Sequence, residues 1–115
     1  MSGKERVVFL DRAAFTADEL PIPAFDHNWS EYPATEPADV VPRLFWATTA
    51  IIHACSLNAE AIGQLHKLKR IIVTGPAVVD TDACVVRGIA VRQLPASDAT
   101  GLVNLLEALV TEAEH

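Results

Sequence analysis

Gly75 and Asp80 have the types and spacing of residues that could bind a ligand. Gly75 directly follows the apolar run "RIIVT" (70–74), and Asp80 lies five residues later. A glycine at such a place can form a turn whose backbone amides cradle a phosphate or a carboxylate. It can equally be an ordinary connection between a strand and a helix, with Asp80 as the cap of that helix.

His53 and Cys55 form a second candidate pair, at the end of another apolar run. A cysteine nucleophile needs a base within hydrogen-bond reach, which two alternate residues of one strand do not guarantee. A core thiol near a buried, hydrogen-bonded histidine is the simpler interpretation. We expect no metal, because the histidines show no ligand spacing; they are His27, His53, His66 and His115.

Asp11 and Arg12 are a third candidate pair, because they close the first apolar run of the chain. Doubly wound sheets bind ligands at the edge where their parallel strands end. Arg12 could hold a carboxylate there. An ion pair exposed to solvent at a strand end is the alternative.

Composition limits the classes of protein. The chain has 115 residues, half of them apolar, with a net charge of −6, so we expect one folded domain over 1–115. The acidic balance argues against nucleic acid and anionic membrane as partners. No apolar stretch approaches the roughly 20 residues that span a bilayer, and the start is too polar for a signal peptide. Two distant cysteines do not suggest a disulfide framework. We expect a cytoplasmic protein.

Short apolar runs that alternate with helical patterns predict the fold. The predicted strands are "RVVFLD" (6–11), "WSEY" (29–32), "TTAIIH" (48–53), "RIIVT" (70–74) and "IAVRQL" (89–94). Such alternation favours a parallel sheet with helices on both faces, because parallel strands need crossover connections. We predict a flavodoxin-like, doubly wound, five-stranded α/β sheet of order 2-1-3-4-5, in three layers α/β/α.

The helix signals are capping residues and prolines. Thr35 is a candidate cap for a helix over 35–47, in which Pro42 should cause a kink or a split. Asn58 is a candidate cap within 56–68. A short helix should begin at Asp80 or Thr81 and end at Gly88, and a last one should begin at Ser97 or Asp98. Any helix in 12–28 must be short and end before Pro21 and Pro23.

The segments "VVFLDR" (7–12) and 40–110 resemble the first half of D-isomer-specific 2-hydroxyacid dehydrogenases, with glycerate dehydrogenases the most similar. The specific elements are the strand-glycine-aspartate unit from Ile71 to Asp80, "RGIAV" (87–91), and a proline turn at Pro95 before a long helix. The resemblance implies a flavodoxin-like substrate domain. In the family, a Rossmann domain with the G-x-G-x-x-G motif and the catalytic arginine, glutamate and histidine follows this segment.

No G-x-G-x-x-G motif occurs in the 115 residues. We therefore expect no Rossmann NAD domain, no cofactor and no catalytic residue in this chain. By resemblance, Gly75 belongs to a substrate loop whose amides hold a 2-oxo acid carboxylate, although Pro76 removes one donor. We expect a small anionic ligand at the ends of strands one, three and four, near Asp11; the tentative binding residues are Arg12, His53, Ala54, Thr74, Gly75 and Pro76.

The last helix, roughly 98–112, carries an apolar stripe: Leu102, Leu105, Leu106, Leu109 and Val110. The stripe is wider than the roughly 100° typical of a surface helix. In the resembling enzymes this helix leads to the second domain, so we predict a homo-oligomer formed through it. The alternative is that the helix folds back and buries the stripe on its own sheet.

Three functions remain open at this point. In the first, the chain is a stand-alone substrate-domain-like module that is not catalytic alone, binds a small carboxylate and self-associates. Alternatively, it is half of an NAD-dependent dehydrogenase completed by a separate Rossmann partner. The third alternative is an unrelated small regulator or enzyme on a flavodoxin-like scaffold, because a fold does not determine a function.

Overall fold

The computed structural model describes residues 5–14, 27–94 and 99–113. Within them, five parallel strands form one sheet of order β2-β1-β3-β4-β5. The strands are β1 (Glu5–Phe9), β2 (His27–Glu31), β3 (Thr49–Ile52), β4 (Arg70–Val73) and β5 (Ala90–Gln93). This confirms the predicted order 2-1-3-4-5 of a flavodoxin-like, doubly wound α/β sheet.

Helices connect β2 to β3, β3 to β4 and β4 to β5, as parallel pairing requires, and a last helix follows β5. They are α1 (Val40–Leu44), α2 (Ala59–Gln64), α3 (Thr81–Arg87) and α4 (Ala99–Ala113), and short 3-10 turns cover Arg12–Ala14 and Pro37–Asp39. Of the segment 12–28, in which any helix was expected to be short and to end before Pro21 and Pro23, residues 15–26 lie outside the described residues.

Alternate residues of the strands face two separate apolar layers. One face carries Val8, Ala50, Ile52, Ile71 and Val73, which pack in one cluster with buried residues of α1, α2 and α3. The opposite face carries Val7, Phe9, Ile51 and Ile72, which pack with Leu102 and Leu106 of α4. The three-layer arrangement therefore follows from the period of two along each strand.

Two of the three predicted caps are confirmed. The Asn58 side chain accepts a hydrogen bond from the amide of Ala61 at 2.8 Å, and α2 begins directly after it. Asp80 accepts from the amide of Ala83 at 3.1 Å, at the start of α3. Gly88 ends α3 with φ at 71°, in the left-handed region that glycine adopts without steric cost.

The predicted cap at Thr35 is wrong. The α-helix begins only at Val40, after the 3-10 turn Pro37–Asp39, and the Thr35 hydroxyl donates to the carbonyl of Leu10 at 2.8 Å. Pro42 lies in the first turn of α1, where a missing N–H breaks no intrahelical bond. A 3-10 turn and a five-residue α-helix do replace one continuous helix, but the break precedes Val40 and α1 runs through Pro42.

An ion pair lies at the edge where the strands begin. Arg70 opens β4, is only 2% exposed, and donates through Nη1 to Glu5 Oε1 at 2.6 Å and to Thr49 Oγ1 at 3.1 Å. Burial alone would raise the pKa of Glu5, but hydrogen bonds from Arg70 and Thr48 and the charges of Arg70 and Lys69 lower it below its usual value.

Four of the five stripe residues of α4 are buried within the chain itself, and Leu105 is partly buried. Leu102 and Leu106 are fully buried against the sheet, and Val103, Leu109 and Val110 are also buried. This is the arrangement of the fold-back alternative; self-association through α4 stays a prediction. Among the described helices, none is long and apolar enough to cross a membrane.

We predict that Leu106→Ala lowers the free energy of unfolding by about 2–5 kcal/mol, because it leaves a cavity between α4 and the sheet. Urea denaturation followed by circular dichroism measures the loss, with Asn104→Ala on the exposed side of α4 as the matched control. Light scattering of both variants tests self-association. A dimer that Leu106→Ala dissociates while stability is unchanged would contradict this packing.

Candidate functional site

Three chain segments meet at the edge where the strands end. Asp11 follows β1, the segment 53–58 follows β3, and the segment 74–80 follows β4. The structure therefore brings Asp11, His53, Ala54, Thr74 and Gly75 to one edge, as their positions after parallel strands predicted. Their contacts differ from those expected for an anion site.

The carboxylate of Asp11 occupies the amides of the loop after β3. Its Oδ2 accepts hydrogen bonds from the backbone N–H groups of His53, Ala54 and Cys55 at 2.9, 2.9 and 3.1 Å. Its Oδ1 accepts from the Cys55 Sγ at 3.3 Å. Three consecutive amides that converge on one point are a typical anion cradle. In this chain a side chain of the same domain fills it.

Those hydrogen bonds keep Asp11 charged although it is only 6% exposed. Burial would raise the pKa of its carboxyl, but the bonds from the three amides and from the thiol outweigh that effect and lower it below the usual 3.8. Asp11 therefore stays negatively charged at neutral pH.

Arg12 points to a different partner. Its Nε lies 3.1 Å from Oε2 of Glu31, the last residue of β2, and its guanidinium lies 5.9 Å from the centre of the Phe9 ring. Asp11 and Arg12 therefore do not form the solvent-exposed ion pair that was the alternative interpretation. Asp11 is buried on amides, and the charge of Arg12 is partly balanced by Glu31.

The ring of His53 lies directly over Gly75. A Cβ built on Gly75 would lie 2.5 Å from the ring atoms Nδ1 and Cε1, so any larger residue would displace the imidazole. The same Nδ1 lies 3.2 Å from the hydroxyl oxygen of Thr74. The close approach of the His53 ring explains why residue 75 is a glycine. The position of Gly75 in the sequence did not reveal this contact.

The loop after β4 uses most of its amides inside the protein. Ala77 donates to the carbonyl of His53 at 2.9 Å, Val78 donates to Ser56 Oγ at 3.2 Å, and Asp80 donates to the carbonyl of Leu57 at 2.9 Å. Pro76 has no amide to donate. These bonds tie the loops after β3 and β4 together, and they leave few donors for the carboxylate that the sequence resemblance implied.

A cleft of about 600 Å³ opens between the end of β1 and the end of β3. Of the residues predicted for ligand binding only Ala54 lines it, together with Asp11. The other polar lining groups come from Thr35, Cys55, Ser56 and Asn58. In this strand order β1 and β3 flank the switch point at which such sheets bind ligands. That rule, applied to the segment after β3, would have found Cys55, Ser56 and Asn58, but not Thr35.

Burial suppresses the reactivity of the Cys55 thiol. Burial, the hydrogen bond to Asp11 and the charge of Asp11 raise its pKa to about 12. The interpretation as a core thiol is therefore favoured over a Cys-His nucleophile. In the described part of the chain, no cluster of three or more histidine, cysteine or acidic side chains is arranged to hold a metal ion.

We predict that Asp11→Asn lowers the free energy of unfolding by about 2–3 kcal/mol, because a neutral amide accepts more weakly and its NH₂ group faces three N–H donors. Since folding lowers the pKa of Asp11, its contribution is complete above about pH 4 and is lost as pH falls through the folded pKa. Urea unfolding from neutral pH to pH 3 should therefore show a flatter pH dependence for the variant than for the wild type.

The matched control for this experiment is Glu36→Gln, at an exposed carboxylate whose side chain makes no capping hydrogen bond. The control should leave both the stability and its pH profile unchanged. An Asp11→Asn variant as stable as the wild type at neutral pH would contradict the role given to this carboxylate.

We predict that Cys55 resists alkylation in the folded protein. With a pKa of about 12, only about one thiol in ten thousand is a thiolate at pH 8. Mass spectrometry after iodoacetamide treatment should show little modification of native protein and rapid modification in urea. Cys84, buried and with a raised pKa, is the internal control and should behave alike. Rapid, selective labelling of native Cys55 would contradict this.

Comparison with known proteins gives two informative similarities. A protein of Haemophilus influenzae named "Putative 2-hydroxyacid dehydrogenase" is 32% identical over 113 residues, which are 96% of this chain and 36% of that protein. The chain thus spans about a third of that relative's length. No protein-family model matches the chain.

The second similarity is structural. A chain from the study "Identification of the pyruvate reductase of Chlamydomonas reinhardtii" superposes with a TM-score of 0.60 and 22% identity, over 80% of this chain and 29% of that chain. At that identity the likeness supports the fold alone. The sequence relative supports the predicted resemblance to 2-hydroxyacid dehydrogenases, and the structural neighbour supports the predicted fold.

Proposed function

We propose that this domain holds a small 2-hydroxy or 2-oxo acid at the edge where β3 and β4 end, and that it does not transfer hydride by itself. The observation that carries the proposal is the arrangement of His53 over Gly75 at that edge, in a domain of the dehydrogenase type. The proposed ligand residues are those expected from the sequence: Arg12, His53, Ala54, Thr74, Gly75 and Pro76.

The rigidity of this edge supports a binding role. His53 is held through its backbone by Asp11 and Ala77, and its ring contacts Thr74 and Gly75. A ligand would therefore meet a side chain whose orientation is already determined, which reduces the entropy lost on binding. Of the remaining proposed residues, Ala54 follows His53 and Pro76 follows Gly75 in the sequence, whereas Arg12 follows β1.

The charges at this edge predict weak binding. Asp11 already fills the amides of 53–55, and Glu31 partly balances Arg12. A carboxylate would thus find little uncompensated positive charge among the described residues. We therefore expect affinity in the millimolar range, which corresponds to about 4 kcal/mol.

The lack of hydride transfer follows from what that reaction needs. A dehydrogenase must hold a nicotinamide cofactor against its substrate, and the glycine-rich turn of a Rossmann domain is the usual device. The sequence contains no G-x-G-x-x-G motif. For this reason we assign the domain a binding role and place the redox chemistry outside it.

A second candidate is a complete NAD-dependent dehydrogenase in which another polypeptide segment or subunit supplies the cofactor domain. The length of the Haemophilus influenzae relative favours it, since the chain matches only 36% of that protein. In that case the edge after β3 and β4 would face the cofactor domain. The two candidates differ in whether this chain meets a Rossmann domain.

We predict that NADH titrated into the isolated chain gives no saturable heat in calorimetry, and that NAD⁺ with D-lactate or D-glycerate yields no NADH. The physical reason is that no dinucleotide turn positions the cofactor. A Rossmann dehydrogenase of known NADH affinity, titrated in the same buffer, is the positive control. Saturable binding at micromolar concentration would contradict the proposal. Activity that appears only after a Rossmann domain is added would establish the second candidate.

A further inference from the structure

Two hydrogen bonds at the end of β4 determine where the proton of neutral His53 lies. Thr74 Oγ1 lies 3.3 Å from the carbonyl oxygen of Ile52 and 3.2 Å from Nδ1 of His53. A carbonyl oxygen only accepts, so the single hydroxyl proton of Thr74 must point to Ile52 if that bond is made. The hydroxyl oxygen can then only accept from the imidazole. Both contacts are hydrogen bonds only if Nδ1 carries the proton.

The other ring nitrogen is then a proton acceptor. In a neutral imidazole one nitrogen donates and the other accepts, so a proton on Nδ1 leaves the lone pair on Nε2. Within the described residues no donor bonds to Nε2, and no buried side-chain nitrogen or oxygen there lacks a partner. His53 is itself only partly buried. Nε2 is therefore open to solvent at the edge of the sheet.

We propose that Nε2 of His53 accepts a hydrogen bond from the hydroxyl group of a bound 2-hydroxy acid. Thr74 keeps Nε2 an acceptor because it holds the ring proton on Nδ1. This inference rests on the proposed function and names the group that recognises the ligand. A hydroxyl can donate to Nε2, whereas the carbonyl of a 2-oxo acid cannot. When the imidazole of His53 is neutral, the domain therefore binds a 2-hydroxy acid more tightly than the corresponding 2-oxo acid.

Gly75 and the backbone of His53 keep the ring in this position. The absence of a side chain on Gly75 lets the ring lie at 2.5 Å from the place of a Cβ. The amide of His53 donates to Asp11, and its carbonyl accepts from Ala77. Rotation of the imidazole would break the bond to Thr74. The direction of the Nε2 lone pair is consequently determined before any ligand arrives.

The first test needs no ligand. Long-range ¹H–¹⁵N NMR at pH 8.5, where imidazoles are ordinarily neutral, distinguishes a protonated from an unprotonated ring nitrogen. We expect Nδ1 of His53 protonated and Nε2 unprotonated. Thr74→Val removes the acceptor and should abolish this preference, whereas Thr74→Ser keeps a hydroxyl and should retain it. Loss of the His53 signals in His53→Asn assigns them. A wild-type protein with the proton on Nε2 overturns the inference.

The second test uses D-lactate and pyruvate at millimolar concentration. Lactate should shift the Nε2 resonance of the wild type and bind more tightly than pyruvate. His53→Asn keeps a donor near the Nδ1 position and lacks any Nε2, so it should lose the preference for lactate. His53→Gln places a polar group near the Nε2 position and should retain part of it.

The possible outcomes separate this inference from the proposed function. If lactate shifts resonances at the carboxyl edge but leaves Nε2 unchanged, the acceptor role is overturned and the binding function stands. If neither acid shifts any resonance of the protein, the binding function fails, and the ligand assigned to His53 fails with it. Equal affinity for lactate and pyruvate at pH 8.5 also overturns the acceptor role.

Discussion

The carboxylate of Asp11 is the interaction on which the geometry of this edge depends. A buried charge costs several kcal/mol unless hydrogen bonds replace the lost water. Three amides and one thiol provide those bonds. They also determine the path of the chain after β3, because three successive N–H groups must point to one oxygen. The orientation of His53 and one wall of the cleft both follow from that path.

A second buried charge determines the opposite edge. The residues of β3 and β4 are all buried, so an alternation of apolar and polar residues cannot define their register. Arg70 must reach Glu5 across β3, and it contacts Thr49 on the way. A shift of β4 by one residue would turn this guanidinium to the other face and leave it without its carboxylate. Charged residues at the two edges of the sheet thus specify the strand register, which the buried apolar residues between them do not determine.

The sequence was sufficient for the features that depend on neighbouring residues. Apolar runs predicted four strands, and an alternation of aromatic and polar residues predicted the strand at 29–32. Asn58, Asp80 and Gly88 marked helix ends through contacts within a few positions. It was insufficient for Asp11, whose partners lie more than forty positions away. Thr35 was misread for a similar reason, because its hydroxyl bonds to Leu10 instead of to a helix that follows it.

Positions at the edge were also easier to predict than contacts. His53 and Gly75 do lie at the edge where the parallel strands end, as their positions in the sequence predicted. That rule does not say which donors are already used inside the protein. The pairing of Arg12 with Glu31 and the ring of His53 over Gly75 depend on side-chain directions that only the folded chain defines.

The filled amides have a consequence for how this edge can recognise an acid. Asp11 uses the amides of 53–55, and Ala77, Val78 and Asp80 donate within the protein. Backbone groups therefore offer little compensation for a carboxylate, and the acceptor that we propose on His53 would select for a hydroxyl instead of a charge. A 2-hydroxy acid carries both groups. Arg12 can supply only part of the positive charge that its carboxylate requires, because Glu31 already pairs with it.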